Sequence, residues 1–200
     1  MRIIGGAHRG RRLAAPEGRD TRPMLDRVRE ALFSTLTPWW KDALVLDLFA
    51  GSGSLGLEAL SRGARSVRFV ERNPRAAACL ARNVEELGIG ARVQLVRADA
   101  LARASWGEER PDVVFLDPPY ALLDELGTRR SLLAAVQELG ARFLAPQGVL
   151  VLHAPRRALM AQEFGSALLV RERQYGSNAL WYAQRAEDGA APDAGEGGGG

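Results

Sequence analysis

The sequence predicts an α/β protein in which a mostly parallel, seven-stranded β-sheet ends in an antiparallel strand. Three observations favour this fold class. Short apolar runs of strand length recur along the chain, helix-like segments separate them, and an acidic residue lies at or just beyond the end of each of the first four. Continuous apolar runs are typical of parallel strands buried on both faces. Helical connections between such runs are typical of a parallel sheet.

The first core run, 43–48, leads into a glycine loop. Asp47 lies at the carboxyl end of this run, and three glycines follow with GxGxxG spacing, namely Gly51, Gly53 and Gly56. Glycines at these positions allow a tight turn, close approach of a ligand and close helix packing, although many loops use glycine for shape alone. The next run, 66–70, is followed by Glu71, and an acid about 20 residues beyond the first glycine can reach the ribose hydroxyls of a nucleoside. Together these residues predict a nucleoside-containing cofactor.

The remaining elements follow from periodicity and from helix and turn signals. Apolar residues at helical spacing predict a helix from Pro23 to Leu36, and we expect Ser54 to cap the helix after the glycine loop. Pro74 and Gly88 bound another helix. In chain order we predict a hairpin at 1–13, strands at 43–48, 66–70, 93–96, 112–116, 148–153, 167–174 and 179–183, and helices at 54–60, 74–87, 131–139 and about 156–162.

Composition excludes several classes of protein. Two hundred residues with 46% hydrophobic content fit one domain with a sizeable core. One cysteine and two histidines exclude a disulfide framework and a Cys/His zinc site. No apolar run approaches the ~20 residues that span a bilayer, and the N-terminus lacks the apolar block of a signal peptide. We therefore expect a cytoplasmic protein with no metal and no membrane contact. We also expect a monomer, although composition does not determine the oligomeric state.

Positive charge is concentrated near the N-terminus. The net charge is +3, and residues 186–200 contain four acids and no Lys or Arg, so residues 1–185 carry +7. Residues 1–30 contain eight Arg against four acids, which is typical of a surface that follows a phosphate backbone, although a solvated terminus has the same composition. We divide the chain into a basic extension at 1–40, a core at 41–185 and a disordered acidic, glycine-rich tail at 186–200. The predicted nucleic-acid-binding residues are Arg2, His8, Arg9, Arg11, Arg12, Arg22 and Arg27.

The most informative motif is Asp117-Pro118-Pro119-Tyr120, directly after the run 112–116. Two prolines stiffen this loop and remove two backbone donors, which leaves nearby carbonyls free to accept hydrogen bonds. Asp117 and the Pro118 carbonyl would form an acceptor pair suited to a planar amino group, and Tyr120 offers a face on which a base can stack. A sharp turn without function is the alternative reading. The position of Asp117 on the same sheet edge as the other acids favours chemistry at a nucleobase amine.

Five segments match the pattern of one known family, namely Met1 to Leu13, Arg22-Pro23 with 26–30, Leu46 to Ala64, Asp117 to Tyr120 and Tyr175-Gly176. Together they resemble the RsmD family, bacterial 16S rRNA guanine-N2 methyltransferases within the class I S-adenosylmethionine-dependent methyltransferases. The Asp-Pro-Pro-Tyr motif alone is shared with adenine and cytosine amine methyltransferases, so the N-terminal segments narrow the resemblance. The family usually has Thr after Arg-Pro, whereas this chain has Met24.

The resemblance implies a Rossmann-like sheet, S-adenosylmethionine as cofactor and 16S rRNA, free or within a 30S particle, as partner. Asp47 and the glycine-loop backbone would hold the methionine end of the cofactor, Glu71 the ribose hydroxyls and Asp99 the adenine amine. The implied catalytic residues are Asp117, Pro118, Pro119 and Tyr120 around a flipped guanine. The implied cofactor-binding residues are Asp47, Phe49, Ala50, Gly51, Ser52, Gly53, Glu71, Asp99 and Ala100.

Three other functions are compatible with parts of this pattern. An adenine-N6 methyltransferase of DNA or RNA would use the same Asp-Pro-Pro-Tyr loop. A nicotinamide-dependent oxidoreductase would use the glycine loop, but no Tyr-x-x-x-Lys pair is present and Lys41 is the only lysine. A non-catalytic RNA-binding protein could retain the fold and the basic residues near the N-terminus. Methyl transfer to a ring carbon would need a cysteine nucleophile, and Cys79 lies inside a predicted helix. We therefore expect the methyl group to go to a nitrogen.

Overall fold

The computed structural model describes residues 1–15 and 24–186 and contains one seven-stranded sheet with the order β3-β2-β1-β4-β5-β7-β6. Strands β1 to β5 pair in parallel, and β7 is antiparallel to both of its neighbours. The predicted fold class is therefore confirmed. The strands are β1 Leu44–Leu48, β2 Ser66–Val70, β3 Val93–Val96, β4 Val113–Leu116, β5 Val149–Pro155, β6 Leu168–Tyr175 and β7 Asn178–Arg185.

Helices cover both faces of the sheet. The α-helices are α1 Asp26–Thr35, α2 Ser54–Ser61, α3 Pro74–Leu87, α4 Ala121–Asp124 and α5 Leu126–Glu138. Helices α1, α2 and α3 share one apolar cluster with one face of the sheet, and α4 and α5 share a second cluster with the other face. Successive residues of a strand point to opposite faces, so the central strands must be apolar at nearly every position.

The third glycine of the loop is required by packing. A Cβ added to Gly56 on α2 would lie 2.3 Å from Cε1 of Phe69 and 2.8 Å from Cγ1 of Val67, both on β2. Helix α2 therefore packs so closely on the sheet that only glycine fits at this position. This close approach fixes where the preceding loop leaves the edge of the sheet.

Some predicted boundaries are wrong. The residue before α2 is Gly53, and the Ser54 side chain makes no capping hydrogen bond. Helix α5 begins at Leu126, five residues before the predicted start. The prediction missed the first turns because none of their side chains is buried, so they show no apolar periodicity. Strand β5 continues to Pro155 because it pairs with β7 beyond the end of β4. The predicted helix at 156–162 is a turn followed by a short 3-10 helix at Ala161–Phe164.

The N-terminal segment packs on the core. The predicted hairpin consists of a single antiparallel bridge between Arg2 and Arg12. Residues Ile3 and Leu13 from its two sides, together with Met24, are buried in the same apolar cluster as α1. The tail predicted to be disordered lies, from residue 187 onward, outside the described residues.

Candidate active site

The carboxyl ends of the parallel strands lie side by side. Leu48 of β1 pairs with Val70 of β2 and with Leu116 of β4, and Leu116 pairs with Leu152 of β5. The residues that follow these pairs, in order across the sheet edge, are Glu71, Phe49, Asp117 and His153. Neighbouring strands are about 4.8 Å apart, so the backbones of Glu71 and Asp117 are separated by roughly 10 Å. The two predicted acids therefore open onto the same edge.

Asp47 lies on β1, two residues before Phe49. Its side chain is buried, and Oδ2 accepts a hydrogen bond of 2.9 Å from the Gly56 amide. Burial raises the pKa of Asp47 to about 8; the Gly56 hydrogen bond opposes the shift, and the charges of Asp117 and Glu71 add to it. Both acids act on Asp47 through the electric field, so the three carboxyl groups lie near one another at this edge of the sheet.

We expect Asp47 to make the protein less stable as pH rises. Its folded pKa lies above the ordinary unfolded value, so the folded state holds the extra proton between pH ~4 and ~8, and stability is lost across that window. The slope contributed by one such group is at most about 1.4 kcal/mol per pH unit. Urea unfolding between pH 5 and 8 should show a smaller loss of stability for Asp47→Asn than for the wild type. Equal slopes in the two proteins would contradict this account of Asp47.

The glycine loop between β1 and α2 is held from two sides. Glu71 accepts hydrogen bonds from the amides of Gly51 at 2.8 Å and Asn73 at 2.7 Å. On the other side, Nδ2 of Asn83 donates to the Ser52 carbonyl at 3.0 Å. Phe49 has a φ of 61°, which is uncommon for a residue with a side chain and is typical of strained functional loops.

The loop backbone borders open space at one position. A Cβ added to Gly51 would meet no atom within 4 Å, whereas one added to Gly53 would lie 2.2 Å from Cδ1 of Leu80. Both glycines have positive φ, and Ala50 beside them is buried. The conformation of Gly53 is therefore enforced by packing, while the Gly51 backbone is open to a ligand.

The end of β3 contributes the other predicted cofactor residues. Asp99 is exposed, and its Oδ1 accepts a hydrogen bond of 3.0 Å from the Leu101 amide. Ala100 is buried, and its carbonyl accepts the indole N–H of Trp106 at 2.8 Å. Because β3 is parallel to β2, these residues lie at the same sheet edge as Glu71.

The Asp117 to Tyr120 loop follows β4 at the same edge of the sheet. The Asp117 side chain is 31% exposed, Pro118 is buried and Pro119 is exposed. The Pro119 carbonyl accepts the amide of Leu122 in α4. No described residue donates to the Pro118 carbonyl. The Tyr120 hydroxyl donates to Oδ1 of Asn178 on β7 at 2.6 Å. Asp117 and the Pro118 carbonyl therefore retain acceptor capacity at this edge of the sheet.

Buried polar side chains anchor the basic arm, which we define as residues 1–13. Glu58 accepts the amides of Ile4 at 2.7 Å and Gly5 at 2.8 Å. Ser61 accepts the His8 amide at 2.9 Å. Arg29 is almost fully buried, and its guanidinium donates to the Arg2 carbonyl at 2.6 Å. The arm is therefore part of the folded structure and not a frayed terminus.

The predicted nucleic-acid-binding residues differ in what they contact. Arg2, Arg9, Arg12 and Arg27 are exposed, and His8 is half-buried. Arg11 is exposed, but its guanidinium donates to the Glu86 carbonyl at 2.6 Å and so ties the arm to α3. Arg22 lies outside the described residues.

The described part of the chain lacks two kinds of feature. No group of three or more His, Cys, Asp or Glu side chains could hold a metal ion. Among the helices at 1–15 and 24–186, none is both long and apolar enough to cross a membrane.

A family model described as "Conserved hypothetical protein 95" matches residues 1–184. The chain belongs to this family, the RsmD family. The chain is 35% identical over 179 residues to YlbH from Bacillus subtilis (strain 168), covering 88% of this chain and 94% of YlbH. It is 42% identical over 127 residues to "Ribosomal RNA small subunit methyltransferase D" from Escherichia coli (strain K12), covering 62% and 64% of the two chains.

The fold agrees with this assignment. The solved structure of yhhF from Escherichia coli has a TM-score of 0.78 and 32% identity, covering 92% of this chain and 97% of that one. The predicted class I methyltransferase fold of this RsmD-family protein is confirmed. The Met24 side chain, which follows the Arg22-Pro23 segment, is buried in the apolar core.

Three features of the RsmD-family site were missed from the sequence. His153 contacts Asp117, with 2.8 Å between Nδ1 and Oδ1, and Asn178 accepts the Tyr120 hydroxyl. The signal for His153 was present, because it ends the predicted strand 148–153 at the edge where the acids lie. The third feature is the anchoring of the arm by Glu58, which looked like an ordinary polar residue of an amphipathic helix.

Proposed function

We propose that this chain transfers a methyl group from S-adenosylmethionine to the exocyclic N2 of a guanine in 16S rRNA. The observation that carries the proposal is the placement of the Asp117 to Tyr120 loop beside the glycine loop, with Asp47 under the influence of both Asp117 and Glu71. Membership of the RsmD family and the name of the E. coli relative support the choice of rRNA.

The residues of the glycine-loop side fit S-adenosylmethionine. The open space at Gly51 accommodates close approach of a ligand to the backbone. Each Glu71 oxygen accepts one backbone amide and retains acceptor capacity for a ribose hydroxyl, while Asp99 is exposed to accept from an adenine amine. Asp47 would lie near the cationic methionine end of the cofactor. The remaining residues expected to line the cofactor site are Phe49, Ala50, Ser52, Gly53 and Ala100. When bound, the cofactor supplies an electrophilic methyl group on a sulfonium sulfur.

The residues of the other side fit a base amine. An exocyclic amine is a poor nucleophile because its lone pair is delocalised into the ring. Hydrogen bonds from its two N–H groups to Asp117 and to the Pro118 carbonyl favour a tetrahedral nitrogen whose lone pair can attack. These fixed acceptors also stabilise the positive charge that develops on nitrogen. Pro119 holds the loop rigid, and the Tyr120 ring, fixed by Asn178, offers a stacking face worth ~1 to 3 kcal/mol per base.

Two groups of basic residues are candidates for binding the RNA backbone, and each includes a residue that contacts the turn between β6 and β7. The first group is the basic arm with Arg27, whose guanidinium lies against Gly176 in the β6–β7 turn. The second group is Arg156 and Arg157, which are exposed just after β5, and the Arg156 amide donates to the Ser177 carbonyl of that turn. Asn178, the partner of Tyr120, begins β7 directly after the turn. The RNA backbone would therefore follow this rim on either side of a flipped guanine.

We expect Arg9→Ala with Arg12→Ala to weaken rRNA binding and its salt dependence. Each lost phosphate contact should reduce the steepness of log affinity against log salt by about 0.7 to 0.9. The slope of the double variant should therefore be about 1.5 less steep than that of the wild type. Arg11 is left in place because it holds the arm on α3. Arg156→Ala with Arg157→Ala should have a similar effect.

The matched control is Arg65→Ala with Arg110→Ala, two exposed arginines at the opposite edge of the sheet, before β2 and β4. Filter binding at four salt concentrations measures all three slopes. A control slope that falls as far as those of the rim variants would remove both groups from the RNA surface.

The function itself is tested with methyl-labelled S-adenosylmethionine and small subunits isolated from cells that lack this methylation. We expect label in 16S rRNA, and comparison with naked 16S rRNA identifies the form of the substrate. Label that appears in DNA, or in no nucleic acid, would reject the proposed substrate.

A nicotinamide cofactor is tested separately by thermal stability. S-adenosylhomocysteine at one hundred times its Kd should stabilise the protein by about 2.7 kcal/mol, whereas NAD should have no effect. Stabilisation by NAD and not by S-adenosylhomocysteine would favour an oxidoreductase. The shared Asp-Pro-Pro-Tyr loop makes adenine N6 the second candidate acceptor, and the identity of the methylated nucleoside decides between them.

A further inference from the structure

His153 is a buried histidine next to the proposed catalytic carboxylate. Its side chain is 4% exposed, and its Nδ1 lies 2.8 Å from Oδ1 of Asp117. The ring also meets the edge of Tyr120, with 6.1 Å between ring centroids. A single imidazole therefore contacts both ends of the Asp117 to Tyr120 loop.

The sheet holds the histidine rigidly. Leu152 pairs with Leu116 on one side, and His153 itself pairs with Leu180 of β7 on the other. Asp117, by contrast, is the first residue beyond β4, where the chain enters a loop. A side chain on a paired strand is thus placed to fix a carboxylate that has left the sheet.

The surroundings of the His153 ring favour hydrogen on Nδ1 over hydrogen on Nε2. A carboxylate only accepts hydrogen bonds, so Nδ1 must be the donor. Nε2 is buried and has no hydrogen-bond partner among the described residues. A second N–H at Nε2 would be a buried, unsatisfied donor, which is costly, especially in a charged ring. The neutral tautomer with hydrogen on Nδ1 therefore fits the site best.

We propose that His153 is a positioning residue that holds Asp117 for methyl transfer, an inference that rests on the function proposed above. Its Nδ1–H occupies Oδ1 of Asp117 and so directs Oδ2 toward the amine of the target base. The Asp117 carboxylate is about one-third exposed, and without this bond it would rotate among several orientations. His153 itself does not touch the substrate.

The kinetic test compares His153→Phe with His153→Asn. Phenylalanine fills the space but removes the donor, whereas the Asn side-chain amide can place an N–H near the position of Nδ1. We expect His153→Phe to lower kcat roughly 10- to 100-fold, as for a lost hydrogen bond to a charged group. His153→Asn should recover most of this loss, and the Kd for S-adenosylhomocysteine should not change in either variant.

A double-variant cycle separates positioning from packing. If His153 acts through Asp117, His153→Phe should lower kcat little further once Asp117→Asn is present. An equal loss in the two backgrounds, wild-type kcat in His153→Phe, or no recovery in His153→Asn would each overturn the proposal.

Nitrogen NMR tests the contact without relying on activity. The chain has two histidines, so histidine-selective 15N labelling gives two ring systems, and the set missing in His153→Phe belongs to His153. We expect hydrogen on Nδ1 and none on Nε2 at pH 7.5, with a changed Nδ1 signal in Asp117→Ala. Hydrogen on Nε2 with a bare Nδ1 would overturn the proposal. Failure of methyl transfer in the wild-type protein would reject the proposed function, while the NMR result would still decide whether His153 holds Asp117.

Discussion

Asp117→Ala is expected to lower kcat for rRNA methylation by about 10² to 10⁴-fold. The substitution removes the carboxylate that would accept one amine hydrogen and stabilise the charge developing on nitrogen. The affinity for S-adenosylhomocysteine should change little, because Asp117 lies on the far side of Phe49 from Glu71. Removing a charge that raises the pKa of Asp47 should also lower that pKa. Single-turnover rates measure the loss of methyl transfer, and calorimetric titration measures the affinity for S-adenosylhomocysteine.

The matched control is Asp112→Ala, which changes the same residue type at the opposite end of the same strand. Asp112 accepts the Leu44 amide at 2.8 Å, so this variant should lose some stability but retain its rate per folded molecule. If Asp117→Ala keeps a rate within a few-fold of the wild type, the assigned role of the loop is wrong. Loss of cofactor binding in that variant would place Asp117 on the cofactor side.

Glu58→Ala should produce the largest loss of stability, about 3 to 5 kcal/mol, as for a broken buried ion pair. Glu58 is fully buried, accepts two amides of the basic arm and pairs with Arg62 at 2.7 Å. The substitution leaves both amides and the half-buried guanidinium without their acceptor. Urea unfolding measures the loss, and hydrogen exchange at Ile4 and Gly5 should accelerate more than exchange in β4.

Glu85→Ala is the control for this prediction. Glu85 is an exposed glutamate on α3, and its removal should change stability by less than about 0.5 kcal/mol. Equal losses in the two variants would show that Glu58 does not anchor the arm. Slow exchange at Ile4 and Gly5 in Glu58→Ala would lead to the same conclusion.

Most of the central sheet was predictable because burial on both faces leaves a strong pattern. Strand β2 and helix α3 were predicted with the bounds that the structure shows, since an apolar run, an N-terminal proline and a C-terminal glycine mark their ends. The edge on which Asp47, Glu71 and Asp117 meet also followed from the rule that parallel strands end together. These conclusions depend on local sequence and on one topological rule.

Features that depend on long-range pairing were not predictable in the same way. The contact of His153 with Asp117 joins residues 36 positions apart, and the contact of Tyr120 with Asn178 joins residues 58 apart. Glu58 contacts the arm 54 residues earlier in the chain. Each of these side chains has an ordinary local pattern, and its role is set by which strands and segments become neighbours. The late start predicted for α5 has a different cause, because a helix whose first turns are exposed leaves little apolar periodicity.

The central claim is that a base amine, held by Asp117 and the Pro118 carbonyl, receives the methyl group. The most direct measurement is mass-spectrometric identification of the nucleoside that the wild-type protein methylates in 16S rRNA. The account predicts N2-methylguanosine at one position and none in the Asp117→Ala reaction. A methyl group on a ring carbon or a ribose oxygen would contradict it, and N6-methyladenosine would keep the loop chemistry but replace the base.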